Sequence, residues 1–140
     1  MRELSPLAYM SANYSRDLLV SLATVEDDAP WVRTVNAFYE DGAFYIITHE
    51  SSRKLRQIAR NPKACICGDW FTLHGLAADM GRITAPENAQ ILSRLRAAFA
   101  DWYADQIDES DPALRLLCVR LTHGTLFIDG KKHEIDFADA

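Results

Sequence analysis

Nothing in this chain of 140 residues is apolar for long enough to suggest a membrane span, since its hydrophobic runs fall far short of the ~20 residues a bilayer requires. The first residues, Met1-Arg2-Glu3-Leu4-Ser5-Pro6, carry no apolar core of the signal-peptide kind. Cysteine is scarce: three residues, an odd number without framework spacing, predict reduced thiols and a cytoplasmic setting. Positive charge is in deficit, with 15 Lys and Arg against 20 Asp and Glu. The net charge of −5 speaks against a nucleic-acid partner, because such binders carry a broad basic surface. No Gly-x-Ser-x-Gly, Walker loop, His-Glu-x-x-His or dinucleotide fingerprint occurs. His49, His74, His123 and His133 are scattered without a triad context. Cys65-x-Cys67 places two thiols on one strand face near His74, but a zinc site needs paired spacings and no second Cys/His pair exists. Small core residues, and no metal, are the expectation. Without repeat, low-complexity tract or linker, the chain reads as a single domain over 1–140, able to bury roughly two-thirds of its unfolded surface.

The most informative stretch runs from Ile46 to Pro62. It reads as the end of a buried strand, a short polar turn and a helix of about nine residues. Ser51 or Ser52 can cap that helix, because a serine hydroxyl accepts from the free N–H groups of the first turn. Leu55, Ile58 and Ala59 share one apolar face. Asn61-Pro62 stops the helix, the residue before proline being pushed out of the α region. Arg53 and Lys54 stand in the first turn, where the helix dipole disfavours a cation. Arg56 and Arg60 follow, and no acid occurs between Glu50 and Asp69. Two readings are open. One is a solvated basic helix; the other is an anion, a phosphate fitting best, bound by backbone N–H groups and gripped by two cations.

Around this stretch the pattern is mostly that of strands. A short helix is expected over 4–14, with Leu7, Tyr9, Met10 and Tyr14 available for packing. Strands are expected over 17–25, 31–39 and 43–48, joined by a turn at 26–30 and an Asp41-Gly42 hairpin. In the second, Arg33, Val35 and Ala37 face one way and Val32, Thr34 and Phe38 the other. A fourth strand covers 63–70, ending in Trp70, a core residue or a platform for a ring ligand. The fifth covers 71–83, where Gly75 and Gly81 signal bends or bulges. Thr84-Ala85-Pro86-Glu87 has the form of a capping box and opens the longest helix, 86–106, with Ile91, Leu95, Phe99 and Trp102 in one apolar stripe. Residues 107–112 read as a solvated acidic loop. Strands follow over 115–122, 125–128 and 132–137, with turns at His123-Gly124 and Asp129-Gly130. The sum is an α+β domain of six to eight mainly antiparallel strands closing into a β-barrel, with two or three helices.

The order Arg33-Thr34-Val35, Thr48, Ser52-Arg53-Lys54, Asn61-Pro62 and Trp70 resembles the pyridoxamine 5′-phosphate oxidase-like flavin-binding split barrels. Asp108-Glu109, Asp111-Pro112 and Cys118-Val119-Arg120-Leu121-Thr122 with Gly124 are similar to the short, general-stress-like branch. The resemblance implies a split barrel that binds FMN. Arg33 with Thr34 and Val35 would line the flavin, Thr48 would meet its ribityl-phosphate region, and Ser52, Arg53 and Lys54 would hold the phosphate; Trp70 belongs to the same motif order. It implies a homodimer with flavins at the subunit interface, and a flavin-dependent oxidoreductase acting on a small molecule. The alternative it leaves is a non-catalytic flavin, deazaflavin or haem module, such as a stress-response sensor. Where true pyridoxamine phosphate oxidases end in an Arg-Leu-x-Pro pattern, this chain ends Asp136-Phe137-Ala138-Asp139-Ala140, so vitamin B6 oxidation is not expected. No acid or base residue is assigned.

Overall fold

Strand alternation and the hairpin turns bend the sheet until it meets itself. The computed structural model describes residues 4–138. Helix α1 (Pro6–Tyr14) precedes strands β1 (Leu18–Glu26), β2 (Ala29–Glu40) and β3 (Ala43–His49). Helix α2 (Arg53–Arg60) leads into β4 (Lys63–Gly68) and β5 (Phe71–Arg82). Helices α3 (Ala89–Ala98) and α4 (Ala100–Gln106) come next, then β6 (Leu114–Ile128) and β7 (Lys131–Asp136). The strands pair antiparallel in the order β3-β2-β1-β4-β5-β6, and β3 returns onto β6 from Ala43↔Arg120 to His49↔Leu114. These six close the barrel, and β7 lies outside it on the far half of β6. This is the α+β barrel expected from the pattern and the split barrel implied by the resemblance; it has seven strands and, against the two or three helices expected, four α-helices among the described residues.

Residues at alternate positions fill the barrel: Leu22, Phe44, Ile66, Leu73, Leu117 and Val119 are all fully or almost fully buried. Helix α1 plugs one end. Ser5 accepts from the Ala8 amide at 3.2 Å, Pro6 sits where no donor is needed, and Met10 and Tyr14 enter the core. The Tyr14 ring lies 4.9 Å from Phe71, which stacks on Phe44 at 5.9 Å. Helix α2, following the other end of β3, buries Leu55 and Ile58 in the same core. A second apolar cluster lies on the outer wall, where Leu92, Leu95, Phe99 and Tyr103 of α3 and α4 pack with Phe38, Ile83 and Leu116.

Several elements differ from the sequence pattern. The long helix expected over 86–106 is a 3-10 turn at Pro86–Asn88 followed by α3 and α4, broken at Phe99. Phe99 departs from α-helical geometry (φ −97°, ψ 19°), its amide donates to Leu95 O, and its carbonyl accepts from both Trp102 and Tyr103. One fully buried ring thus ends one helix and starts the next. The capping box does not form; buried Asn88 instead donates to the carbonyls of Met80 and Arg82, pinning the helix start to β5. The loop over 107–112 is tied down, Glu109 accepting from Arg96 and from the Tyr103 hydroxyl. His123-Gly124 is no turn: β6 runs unbroken through it because β5 pairs on one side and β7 on the other. The Gly75 bulge is present, as a register shift between His74 and Gly75.

The β4–β5 turn also falls earlier than expected. β4 ends at Gly68, and Trp70 sits in the turn with φ +71° and 71% of its surface exposed. Cys65 and Cys67 leave the core as well. They pair with Ala23 and Ser21 on the outer sheet face, opposite in sense to buried Ile66, so Cys67 is exposed and Cys65 half-buried. His74 pairs with Cys65 and stacks on His123, ring centroids 4.8 Å apart. Among the described residues no cluster of three or more His, Cys, Asp or Glu is placed to hold a metal ion, and no helix is long and apolar enough to cross a membrane. All three cysteines are free thiols.

Gly124 is one of the positions where the barrel tolerates no side chain. A Cβ there would stand 2.4 Å from Thr72 O and 2.7 Å from Leu73 Cα. Gly124→Ala is expected to cost about 1–3 kcal/mol of folding stability through overpacking, read as a lower urea midpoint with an unchanged slope.

Candidate anion-binding site

The charged stretch singled out in the sequence folds as α2, an eight-residue helix capped by Ser52, whose hydroxyl accepts from the Leu55 amide at 3.4 Å. Ser52, rather than Ser51, is the cap; Ser51 instead binds His49 Nδ1 through its amide and hydroxyl. Thr48, buried at the end of β3, lies 3.3 Å from the Ser52 hydroxyl and so braces the cap. The amides that open a helix have no intrahelical acceptor and carry the positive end of its dipole.

Strand β2 brings a third cation to this helix end. Arg33 pairs with Leu22 on the inner face of the sheet. Its Nη1 donates to Thr24 Oγ1 at 2.6 Å and to Leu22 O at 3.3 Å, and its Nη2 donates to Gln57 Oε1 at 3.0 Å. Every one of these acceptors is neutral. Arg33, Arg53 and Lys54 make no ion pair among the described residues, whereas the ion pairs that do form lie elsewhere: Arg94–Glu40, Arg96–Glu109, Arg115–Asp79 and Lys132–Glu134. The crowding shows in their protonation. Burial, then the charge of Arg53, lowers the Arg33 pKa; burial, then Arg33, lowers that of Lys54. Three cations gathered at a helix N-terminus with no ion-pair partner among the described residues have the charge and donors that suit an anion with several oxygens.

The sequence-derived residues divide cleanly. Arg33, Thr48, Ser52, Arg53 and Lys54 converge on the start of α2, and Val35 continues the inner face from Arg33 toward the core. Thr34 points to the opposite, outer face, as alternation demands. Trp70 stands apart: it lies in the turn beyond the end of β4, a strand separated from β2 by β1, and makes no contact with the cation cluster among the described residues. Arg56 and Arg60 face a different cavity of about 510 Å³, shared with Asp27 and Asp28 of the β1–β2 turn. A larger cavity, about 720 Å³, lies at the far end of β3, between α1, Arg120, His123 and Phe137.

Two residues at the site went unmarked in the sequence. Trp31 carries the Arg53 guanidinium 4.3 Å above its ring, a cation–π contact. Gln57, only 2% exposed, anchors Arg33. Their spacing was legible, since Trp31 is two residues before Arg33 on the same strand face and Gln57 is one helical turn after Lys54.

A family model described as pyridoxamine 5′-phosphate oxidase matches residues 10–127. The chain belongs to the pyridoxamine 5′-phosphate oxidase family. Among solved structures this member of the family is similar to general stress protein 26 from Bacillus anthracis, at 19% identity and a TM-score of 0.65, covering 90% of this chain and 95% of that one. It is similar to an FAD-binding protein from Mesorhizobium loti (16% identity, TM-score 0.64, 88% and 94% covered). It is also similar to a heme-binding protein from Mycobacterium smegmatis (18% identity, TM-score 0.71, 97% and 60% covered). At these identities the likeness shows the fold alone. No curated protein matches the sequence significantly.

Uncompensated charge makes the free site a liability for folding. A lysine whose pKa is lowered in the folded protein costs stability wherever it is protonated, and the cost disappears as pH rises through the ordinary lysine range. Lys54→Met, which keeps the aliphatic stem, is therefore expected to raise the stability of the ligand-free protein near neutral pH by about 0.5–2 kcal/mol. The gain should shrink with added salt. Thermal unfolding across a sodium chloride series checks this.

Proposed function

We propose that this protein binds FMN with the phosphate at the start of α2, gripped by Lys54, Arg53 and Arg33 and bounded by Ser52 and Thr48, and that it works as a flavin-dependent oxidoreductase on a small molecule. The observation that carries the reading is the cluster of three cations with only neutral protein partners. A phosphomonoester supplies the missing charge and the acceptors for two guanidinium forks. Bound FMN would supply the redox chemistry, which no constellation of this chain's own side chains provides. Family membership and the flavin named for one similar structure support a flavin over other anionic ligands. Three free thiols accord with a reducing compartment such as the cytoplasm.

A homodimer with the flavin at the subunit interface is part of the proposal. The outer face of β1, β2 and β5 leaves Leu19, Val32 and Leu76 exposed by 65%, 69% and 50%. These three apolar side chains are available to such an interface. Thr34 points to this face and Trp70 stands free of the cation cluster, so both would reach a flavin only as contributions from across the interface.

The visible spectrum of the purified protein and its titration with FMN test the cofactor. Lys54→Ala is expected to weaken FMN roughly 10- to 150-fold, the loss of one charge-assisted contact, and Arg53→Ala to behave similarly. Arg56→Ala, further from the helix start, should change little. Equal losses at all three would instead indicate a diffuse basic surface. Turnover of NADH or NADPH with an acceptor separates an enzyme from a non-catalytic flavin module. Val32→Glu is expected to shift sedimentation from dimer to monomer and to weaken FMN at the same time.

A further inference from the structure

One side chain links Arg33 to an acid that Arg33 does not touch. Gln57 lies between them, 2% exposed, with its amide oriented by its neighbours. Oε1 accepts from Arg33 Nη2 at 3.0 Å and from the Thr24 hydroxyl, while Nε2 donates to Glu26 Oε2 at 3.3 Å. A guanidinium can only donate and a carboxylate can only accept, so this amide has one orientation that satisfies both. Thr24, 1% exposed, completes the arrangement by accepting from Arg33 Nη1 at 2.6 Å. We infer that Gln57 is a positioning residue: a neutral spacer that holds the Arg33 guanidinium toward the anion site and keeps Glu26 from neutralising it.

The choice of side chain follows from that task. A carboxylate at position 57 would bind Arg33 directly and cancel its charge. An apolar residue would leave both Arg33 and Glu26 short of partners, and the two would pair with each other. Only an amide satisfies the cation and the anion while keeping them apart. Leu55 and Ile58, the other buried residues of α2, make apolar contacts with the barrel, so anchoring the helix does not itself require a glutamine. The inference rests on the phosphate reading of the site, and its test separates the two.

The probes are FMN and riboflavin, which share the flavin and differ in the phosphate, each titrated by fluorescence into wild-type protein and variants. In Gln57→Met, FMN is expected to weaken roughly tenfold or more, while riboflavin affinity stays within about twofold. Adding Glu26→Gln to that variant should restore FMN binding, because the acid that Gln57 contacts is then neutral. Should Gln57→Met fail to fold, the isosteric Gln57→Glu is expected to give the same selective loss of FMN. Parallel losses of FMN and riboflavin, or no rescue by Glu26→Gln, would overturn the inference and leave Gln57 as a structural residue. Lys54→Ala serves as the separate arm. If that variant binds FMN as wild type does, the phosphate site itself is misplaced; if it loses FMN while Gln57→Met does not, only the spacer role fails.

Discussion

Like charges held together without a counter-charge set the terms for the rest of this structure. The protein has more acids than bases, so leaving three cations unpaired at one helix end is not forced by composition. Elsewhere the pairing is ordinary: Arg94, Arg96 and Arg115 each meet a carboxylate at the surface. At α2 the barrel offers Arg33 only a threonine hydroxyl, a backbone carbonyl and an amide oxygen. Those acceptors satisfy hydrogen bonds without cancelling charge. Local repulsion opposes folding, and two buried cores oppose that repulsion from either side of the barrel wall. A site of this kind stores affinity for an anion as a strain that the anion relieves.

The barrel supplies the rigidity such an arrangement needs. Arg33 sits in the middle of a twelve-residue strand whose register with β1 is continuous from Leu18↔Ala37 to Glu26↔Ala29. Gln57 and Thr24 are buried where that strand pair meets α2. Helices α3 and α4 cover a different stretch of the outer wall, around Phe38 and Leu116. Their apolar stripe is therefore spent within the chain and covers the Phe38 end of β2, while Leu19 of β1 and Val32 near the start of β2 stay exposed.

Features decided by neighbours in sequence were legible in it. Strand alternation placed Arg33, Val35 and Ala37 on one face, and the charges of the first turn of α2 marked its dipole conflict before any geometry was known. What escaped were features decided across the fold. Gly124 reads as a turn residue, but its smallness answers to the Thr72 carbonyl on the next strand. The apolar stripe of 86–106 continues through Phe99, and nothing in it announces that the helix axis breaks there to fit the wall. Trp70 looks like a core residue and is exposed because the turn starts two residues sooner. Gln57 and Trp31 stood at the right spacing, yet a lone glutamine and a strand tryptophan carry no charge to draw the eye. Their roles exist only through partners that are distant in sequence and lie on another element.

The stacking of Arg53 on Trp31 gives the protein an optical gauge of its own state. An indole's emission responds to a cation resting on its face, and Arg53 rests on this one from the turn of helix where an anion would arrive. Trp70 projects into solvent and Trp102 is tied through its ring nitrogen to Asp17, so the two remaining indoles sit in surroundings unlike that of Trp31. An anion that drew the guanidinium off the ring would therefore change the intrinsic fluorescence, with no label attached.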